Sequence, residues 1–543
     1  MPLLNIIESQ NQKIERQGNE IQGLRNEINH LKGEQGKPEF KTSIQKTTKS
    51  RNISSESERK DKDVSDRKTN RRKKRRKDLP IHKTEICKLD KTDLPDDLEL
   101  KDYSDKIIQG ITFGSFNILA KREIWYSPSN RRCYTAKLPS EYRESYTAEL
   151  QTFIIEQKYL YNMTEPKILE MLLRRDFLIS AGTISNILLN NGKDLSNDRE
   201  DILRAGIIKS KCVQTDTTGC VENGVQKQNH NFNSPYFSVF YTKEDRKRIT
   251  VIDILRGSES RILALNKLEN RNDADVSETR IFTLNKEFFE ILVKKGIAKV
   301  NIDYLKQHAT DELLRHNAIE KVLSPFLERK NLYSQLYELA YIAGYHAEEG
   351  YPIVEILLTD DAPVYDYIAF IHILCWIHEG RHFKKLNPLV SEFKNALDDF
   401  LTQFWNFYHA LLDFKKNPST DYAILLEQRF DALFTQVTNY DTLNERIEMT
   451  FRKKEELLGV LKHSFLPLHN NESELDARKI ARNRDVSFQT KNKEGTQARD
   501  IFLSISATAK KLNVDFFDYL VDRISRKFEM PSLATVIQNI HPP

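Results

Sequence analysis

The sequence predicts a mixed α/β fold in which a sheet of short buried strands carries long helical insertions. Short apolar runs bounded by polar residues, at 211–215 and 354–359, are typical of buried strands, and 368–376 reads as the strand that follows. Longer segments have apolar residues at i, i+3 and i+4, the spacing of an amphipathic helix, as at 397–412, and a second such helix is predicted over 443–461. With 543 residues the chain exceeds the size of one compact core, so several structural units are expected.

Composition and charge indicate a cytoplasmic protein that does not enter a membrane. The five cysteines are odd in number and form no CxxC pair, which fits a reducing compartment and predicts no disulfide framework. The longest apolar stretch, 367–377, is too short to span a bilayer, and no leader-like segment opens the chain. The formal net charge of +5 is modest, but the basic residues are distributed unevenly.

A heptad pattern at the N terminus predicts a coiled coil over residues 1–33 that pairs protomers. Isoleucine occupies one position of each heptad and leucine several of the complementary positions: Ile7, Ile14, Ile21 and Ile28, with Leu3, Leu24 and Leu31. Gly18 and Gly23 weaken the pattern. A solitary amphipathic helix is therefore the alternative.

Residues 34–85 are predicted to be a disordered basic linker, because they contain almost no large apolar residues. Seven consecutive cations could neutralise DNA phosphates without reading sequence, or could belong to a solvated tether: Arg71, Arg72, Lys73, Lys74, Arg75, Arg76 and Lys77. Residues 86–146 read as a small β-rich unit similar to a degenerate zinc finger. Zinc is not expected there, because Cys87 and Cys133 have no partner pattern for a four-ligand site.

Three helices are predicted within 147–200, a helical module that resembles a helix-turn-helix DNA-binding unit. The segments are 150–161, 166–175 and 182–189, and the third begins near Ser180. Few basic residues lie on that third helix. A packing module that joins domains is therefore an equal alternative.

Three acidic residues stand in settings that suit a metal site. Asp216 in VQTDTTG and Asp360 in EILLTDDAP each close a predicted strand, and Glu474 in LHNNESELDAR begins an apparent helix. Two strand-end aspartates and a helix glutamate can hold two divalent cations about 3.5–4 Å apart for phosphodiester chemistry. Asp361 competes with Asp360, although strand alternation points the two to opposite sides. Taken singly, each aspartate could instead cap a turn.

The order of several blocks along the chain resembles the large transposases of the bacterial insertion-sequence sixty-six family. These blocks are LLNIIESQNQKIERQ, NMTEPKILEMLLRRDFL, QTDTTG, LLTDDAP, LCWIHEGRHFKKL and LPLHNNESE. The resemblance implies an RNase H-like core over 207–500, with insertions at about 257–349 and 390–465 and C-terminal helices at 501–543. It also implies that Asp216, Asp360 and Glu474 are the catalytic DDE triad and bind two Mg²⁺ or Mn²⁺ ions.

Polar residues beside the triad are candidates for supporting roles. Asn470 and Asn471 could contact a phosphate or cap the helix that carries the glutamate. His378, Arg381 and His382 lie in WIHEGRHFKK, where the histidine spacing suggests metal ligation but a phosphate contact or a structural role is better supported. We expect His378 to support the acids, and Arg381 and His382 to contact DNA. The resemblance extends DNA-backbone contact to Arg478 and Arg482, one and two turns beyond the glutamate.

The resemblance implies a transposase that cuts DNA at the ends of a mobile element and joins the freed 3′-hydroxyl to target DNA. Its expected partners are double-stranded DNA, as terminal inverted repeats and target, and further copies of itself in a homodimer or larger assembly. Accessory proteins of the same element and association with the nucleoid are also implied. The alternative is a catalytically inactive, transposase-derived DNA-binding protein; a coiled-coil scaffold and a hydrolytic nuclease are more distant readings.

Overall fold

The computed structural model describes residues 2–31, 114, 124–127, 131–135, 145–269 and 275–540. The predicted linker 34–85 with its basic run, and most of the predicted unit 86–146, lie outside the described residues. By internal contacts the chain divides into two units. One comprises Met1–Thr42, Leu119–Met171 and Ile179–Pro543, and the other comprises Ser43–Ile118 and Leu172–Leu178.

The described residues form nine strands: β1 Ile124–Ser127, β2 Arg132–Thr135, β3 Cys212–Glu222, β4 Val225–Asn233, β5 Ser238–Lys243, β6 Ile281–Leu284, β7 Thr310–Arg315, β8 Ile356–Thr359 and β9 Ile371–Leu374. The helices before β8 are α1 Pro2–Leu31, α2 Ala148–Tyr159, α3 Glu165–Leu173, α4 Ala181–Asp194, α5 Ser196–Lys209, α6 Arg248–Leu255, α7 Ser258–Glu269, α8 Lys286–Lys294, α9 Lys299–Lys306, α10 His316–Leu323 and α11 Lys330–Ala347. Those after it are α12 Trp376–Lys384, α13 Ser391–Lys416, α14 Thr420–Phe434, α15 Asp441–Phe451, α16 Lys454–Leu457, α17 Gly459–Lys462, α18 Asn471–Ser487, α19 Lys493–Lys511, α20 Phe516–Ile524 and α21 Leu533–Asn539.

Five strands form a central mixed sheet in the order β5-β4-β3-β8-β9. The first three are antiparallel neighbours, whereas β3–β8 and β8–β9 pair in parallel. A two-residue turn joins β3 to β4, and both of its residues, Asn223 and Gly224, have positive φ, as a tight hairpin of this kind requires. Helices α18 and α19 pack against this sheet. The mixed α/β class predicted from sequence is confirmed.

Two predicted strands have different bounds in the structure. The strand predicted to close at Asp216 continues to Glu222, because the polar residues after Asp216 pair with β4 along the whole hairpin. The prediction that Asp216 ends its strand is therefore wrong. The strand predicted over 368–376 is restricted to β9, because the chain enters α12 at Trp376.

The segment between β5 and β8 contains a small antiparallel sheet as well as helices. β6 pairs with β7, and α11 packs on β6. The approach is close at Gly344, where an added Cβ would lie 2.2 Å from the Ile281 carbonyl oxygen. The expectation of a mainly helical insertion therefore missed these two strands.

The segment between β9 and α18 is helical around an aromatic core. The predicted amphipathic helix over 397–412 is confirmed within α13, whereas the single helix predicted over 443–461 is divided into α15, α16 and α17. Trp376 is buried at the centre, with ring contacts to Phe404, Phe407, Phe430 and Phe434. This core fixes the start of α12, which borders the candidate site.

The three helices predicted between 150 and 189 are present as α2, α3 and α4, and α5 follows directly. The predicted start of the third helix near Ser180 is confirmed: Ser180 is the N-cap of α4, and its Oγ accepts a hydrogen bond from Thr183 N (3.1 Å). Within the described part of the chain, none of the helices is both long enough and apolar enough to cross a bilayer.

Candidate active site

Parallel pairing of β3 with β8 brings two of the three acids to one place. Gln214 pairs with Leu358, so two residues further along each strand lie Asp216 and Asp360. At that point β3 separates from β8 and continues with β4 alone. Asp360 Oδ1 accepts a hydrogen bond from Ala362 N (3.2 Å), which orients its carboxylate at the strand end.

Hydrogen bonds from β3 and β4 hold the start of α18, and with it Glu474, beside Asp216. Asn231 pairs with Asp216 across the strands, and its Nδ2 donates to the carbonyl of Ser473 (3.3 Å). Asn233 Nδ2 donates to Ser473 Oγ (2.7 Å). Because Ser473 precedes Glu474, these bonds set the position of the third acid relative to the first.

Asn470 links the same two elements from the other direction. Its Nδ2 donates to the Thr215 carbonyl (2.8 Å), and its own carbonyl accepts the Glu474 N–H (3.2 Å). Asn470 occupies the N-cap position of α18, but its side chain makes no capping hydrogen bond. The capping interpretation of this side chain is therefore wrong. Asn471 is the first residue of the helix and is half-buried.

Burial and mutual repulsion make the cluster electrostatically unfavourable for anions alone. Burial raises the pKa of Asp216 from its ordinary value of 3.8 to about 7. The negative charges of Asp360 and Glu474 contribute to this rise, whereas the Thr217 N–H, 2.7 Å from Asp216 Oδ1, and Arg381 oppose it. The electrostatic coupling among the three acids follows from their closeness.

Arg381 supplies positive charge to the cluster. Its guanidinium binds Glu474 through both carboxylate oxygens, with Nη1–Oε1 at 3.0 Å and Nη2–Oε2 at 3.2 Å. Arg381 Nη1 also donates to His378 Nε2 (3.1 Å), and that ring nitrogen lies 3.6 Å from Glu474 Oε1. Arg381 and His378 both lie on α12. A planar, bidentate pair of this kind fixes the orientation of the glutamate.

The acids fit a site for hard divalent cations such as Mg²⁺ or Mn²⁺, which prefer carboxylate oxygens. Asp216, Asp360 and Glu474 would hold such ions. Two observations favour this donor set: the Asp216 carboxylate is destabilised as an anion, and Asn470 Oδ1 beside it is buried without a hydrogen-bond partner. A cation with its bound water would satisfy both groups.

We expect metal affinity to rise with pH up to about 7, because Asp216 must lose its proton to bind. Below that pH, affinity for Mn²⁺ should fall by about tenfold per pH unit. The same raised pKa affects the stability of the metal-free fold: protonated Asp216 stabilises it fully below pH 3.8, and this contribution is lost as pH rises through about 7.

Calorimetric titration with Mn²⁺ between pH 5.5 and 8.5 measures the pH dependence of metal affinity. Asp216→Asn should weaken binding and flatten the pH dependence; a wild-type affinity independent of pH would contradict the assignment.

A second layer of hydrogen bonds behind Asp216 was not found by sequence reasoning. Thr217 Oγ1 lies 2.9 Å from the Tyr365 hydroxyl and 3.3 Å from His230 Nδ1. His230 Nε2 faces the Asp245 carbonyl at 2.9 Å, and burial lowers the pKa of His230 to about 4, so the ring is neutral. The ring therefore donates from Nε2 and accepts from Thr217 at Nδ1, which fixes the backbone next to Asp216.

An equivalent contact lies behind Asp360. His372 Nε2 is 2.7 Å from Thr359 Oγ1, and burial lowers the pKa of His372.

The sequence of β4 carried a signal for the hydrogen bonds that join β4 to the start of α18. Asn229, Asn231 and Asn233 alternate there in an otherwise strand-like segment. All three are buried, and buried amides at a period of two indicate a polar interface on one face of the sheet.

Asp361 faces a different cluster from its neighbour Asp360. Asp361, Glu379 and His382 place ligand atoms within 4.8 Å of one another, as a metal site would. Cations of the protein already compensate this group: Lys453 pairs with Asp361, and Arg446 pairs with Glu379. We therefore interpret the cluster as a salt-bridge network that fixes α15 to α12.

Three further candidates lie on the helices that border the three acids: His382 on α12, and Arg478 and Arg482 on α18. His382 is half-buried in the Asp361 cluster, with Nε2 3.9 Å from Asp361 Oδ2, and burial lowers its pKa. Arg478 and Arg482 are exposed on α18. The basic run 71–77 lies outside the described residues.

Comparison with known proteins gives a family match over the part of the chain that carries two of the acids. The family model described as "Transposase IS66 family" matches residues 343–498, a segment that contains α12, Asp360 and Glu474. This segment is similar to the transposases of the IS66 family. The resemblance stated from the sequence is thereby confirmed, and the IS66 match suggests a DNA-processing enzyme. Asp216 on β3 precedes the matched residues.

The chain is also similar to an uncharacterized protein, y4jO, from Sinorhizobium fredii. The two are 28% identical over 335 residues, which cover 60% of this chain and 94% of the relative. The similarity therefore extends well beyond the IS66 segment. The relative's name carries no activity, so it adds none to this chain.

Proposed function

We propose that the protein is a metal-dependent DDE transposase that cleaves DNA at the ends of an insertion sequence and transfers the strand to target DNA. The observation that carries this proposal is the convergence of Asp216, Asp360 and Glu474, with the Asp216 pKa raised to about 7 by burial and by the other two acids. Such a site suits phosphodiester chemistry assisted by cations. The IS66 match independently supports a transposase.

The sheet supports an RNase H-like core as the framework of this site. The strand order is β5-β4-β3-β8-β9, in which the first three strands are antiparallel neighbours and β8 and β9 continue the sheet in parallel with β3. In such a sheet the first acid lies on the central strand and the second on its parallel neighbour. The helix that carries the third acid is held against the same face by Asn231 and Asn233.

Each residue of the site has a distinct task in the proposed reaction. When bound, two divalent cations would activate the attacking water or 3′-hydroxyl and stabilise the leaving oxygen. Asp216, Asp360 and Glu474 would hold these ions through their carboxylate oxygens. Arg381 orients Glu474 and offsets part of the negative charge. Asn470 fixes the distance between the strand of Asp216 and the helix of Glu474.

DNA binding is proposed for the exposed cations near the site. Arg478 and Arg482 follow Glu474 at intervals of one turn and are exposed, so they are available to phosphates. The basic run 71–77 would add contacts that do not depend on sequence. The helical module α2–α4 remains a candidate for recognising the terminal repeats.

Helix α1 supports dimerisation, because the chain's own fold leaves its apolar stripe exposed. The opposite, polar face contacts the body of the protein. Asn5 bonds the Asn439 carbonyl (3.2 Å) and Asp441 N (3.1 Å), and Glu8 accepts from Leu389 N (3.0 Å). The exposed fractions of the stripe are 69% at Leu3, 46% at Ile7, 63% at Ile14, 50% at Ile21 and 53% at Leu24. A second copy of α1 would cover this stripe as a coiled coil.

We therefore expect Ile14→Asp to lower the oligomeric state. A buried aspartate in the coiled-coil seam has no partner, so its burial opposes pairing. Sedimentation equilibrium should give a dimer or larger species for the wild type and a dissociation constant raised by about tenfold or more for the variant. The matched control is Lys13→Asp, an exposed charge change next to the stripe, which should leave assembly nearly unchanged. A monomeric wild type would refute the pairing.

The proposed function is tested by incubating purified protein with Mg²⁺ and labelled DNA that carries the sequences flanking its gene. Nicking at a defined end, followed by joining of that strand to a second DNA, would support the transposase. Cleavage without joining would indicate a hydrolytic nuclease. Specific binding without cleavage would indicate the alternative, a transposase-derived DNA-binding protein.

A further inference from the structure

An exposed aromatic residue lies at the end of the helix that carries Glu474. Phe488 directly follows α18, and 67% of its surface is exposed. Its backbone has φ +56° and ψ −56°, and Gln489 N donates to the Ser487 carbonyl (2.6 Å) across it. This is a γ-turn with positive φ, which is rare and strained for a residue with a large side chain.

Hydrogen bonds fix this turn to the β3–β4 hairpin. The backbone bonds are Thr490 N to the Val221 carbonyl (3.2 Å) and Asn223 N to the Thr490 carbonyl (2.8 Å). Gly224 N also donates to Gln489 Oε1 (2.6 Å). These hydrogen bonds fix Phe488 in a solvent-exposed position. Within the described part of the chain, no contact compensates the backbone strain or covers the exposed ring.

The position of Phe488 on α18 relates it to the candidate active site. At 100° per residue, Glu474, Arg478 and Arg482 fall within a sector of about 80° of α18, and Phe488 directly follows the C-terminal end of that helix. At about 1.5 Å per residue, Phe488 lies about 21 Å along the helix from Glu474, with the two exposed arginines in between. Asp485, which is exposed, is a second acid in this sector besides Glu474.

We propose that Phe488 inserts at a base step of the bound DNA and stacks on an unstacked base about six base pairs from the cleaved bond. About 21 Å corresponds to this spacing at roughly 3.4 Å per base pair. Arg478 and Arg482 bind phosphates between the two points. Stacking on a base covers the ring, and apolar wedges that open base steps are a recurrent mode of DNA binding. The inference rests on the proposed function and adds a DNA contact outside the acids.

The flanking charges favour DNA over a protein partner. Lys491 and Lys493 follow the turn and are exposed, as are Arg478 and Arg482 before it, and these cations outnumber the exposed acids of the same segment, Asp485 and Glu494. A cationic track that ends in one rigid aromatic ring matches a nucleic-acid strand, with phosphates at the cations and a base at the ring.

The test uses duplexes from the DNA flanking the gene, with 2-aminopurine placed at successive positions, and measures its fluorescence together with binding anisotropy. With the wild type, fluorescence should rise at one position about six base pairs from the nick. Phe488→Ala should abolish that rise and weaken binding by roughly 5- to 150-fold, the equivalent of about 1–3 kcal/mol per stacked base. Phe488→Trp should retain both signals.

Further variants separate stacking from a structural role. Phe488→Gly should raise the thermal midpoint above that of Phe488→Ala, because glycine accepts positive φ, while still lacking the fluorescence signal. Arg478→Ala should reduce the slope of log affinity against log salt concentration by about one, whereas Phe488→Ala should leave this slope unchanged. The matched control is Phe528→Ala. Phe528 is also exposed (63%) and also has positive φ, but it lies far from α18 in the sequence and its ring contacts Arg523.

The outcomes distinguish this inference from the proposed function. If the wild type cleaves DNA but Phe488→Ala keeps the fluorescence signal and the affinity, the stacking contact is wrong and the transposase assignment stands. The same holds if Phe528→Ala loses the signal equally. If the wild type neither binds nor cleaves the duplex, both proposals fail.

Discussion

Asp360→Asn and Glu474→Gln should each abolish DNA cleavage while leaving DNA binding intact. Each change removes one negative charge from a set of three acids and keeps the shape of the side chain. Loss of about 4 kcal/mol of charge stabilisation corresponds to about a 10³-fold slower reaction, and we expect at least this reduction in the rate of nicking. Single-turnover cleavage of labelled DNA in Mg²⁺, alongside anisotropy with the same duplex, measures the two properties separately.

The chain offers a close control for each substitution. Asp361→Asn alters the adjacent residue, whose carboxylate pairs with Lys453 instead of facing the acids. Glu472→Gln alters a glutamate on α18 that pairs with Lys511 at 2.8 Å. Both controls should cleave at rates within a few-fold of the wild type. A loss of cleavage in the controls as large as in the triad variants would refute the assignment of the three acids.

Glu379→Ala should cause the largest loss of stability among changes near the site. Glu379 is 1% exposed and accepts hydrogen bonds from Arg446 and Thr450, and Lys453 Nζ lies 3.7 Å away. Removing one member of a buried ion pair costs about 3–5 kcal/mol, because the other charge stays buried without compensation. Urea unfolding followed by tryptophan fluorescence should show this loss, since Trp376 lies in the adjoining aromatic core.

Two further variants test the cause of that loss. Glu379→Gln keeps the volume and one hydrogen bond, so it should lose less stability than the alanine variant. Glu392→Ala, at an exposed position on α13, should change stability by no more than about 0.5 kcal/mol. Equal stability of Glu379→Ala and the wild type would show that the Asp361 cluster does not fix α15 to α12. That result would favour metal binding as the role of the cluster.

Local patterns in the sequence determined most of the secondary structure. The heptad of isoleucines predicts α1, the i, i+3, i+4 spacing predicts α13, and Ser180 marks the start of α4. Such patterns succeed because helix formation depends on residues within one or two turns of each other. The three acids were also recognised from their local settings, although the sequence alone assigned Asp216 to a strand end.

Only the tertiary structure decided how distant segments meet. The strand of Asp216 extends past it because β4 supplies hydrogen bonds along a polar stretch that by itself reads as a turn. Asn231 and Ser473 are 242 positions apart in the chain, yet their contact sets where Glu474 lies. Glu379 and Arg446 likewise carry no local signal of their pairing. Contacts of this kind depend on the register of the sheet and the packing of helices on it, so no periodicity in the sequence encodes them.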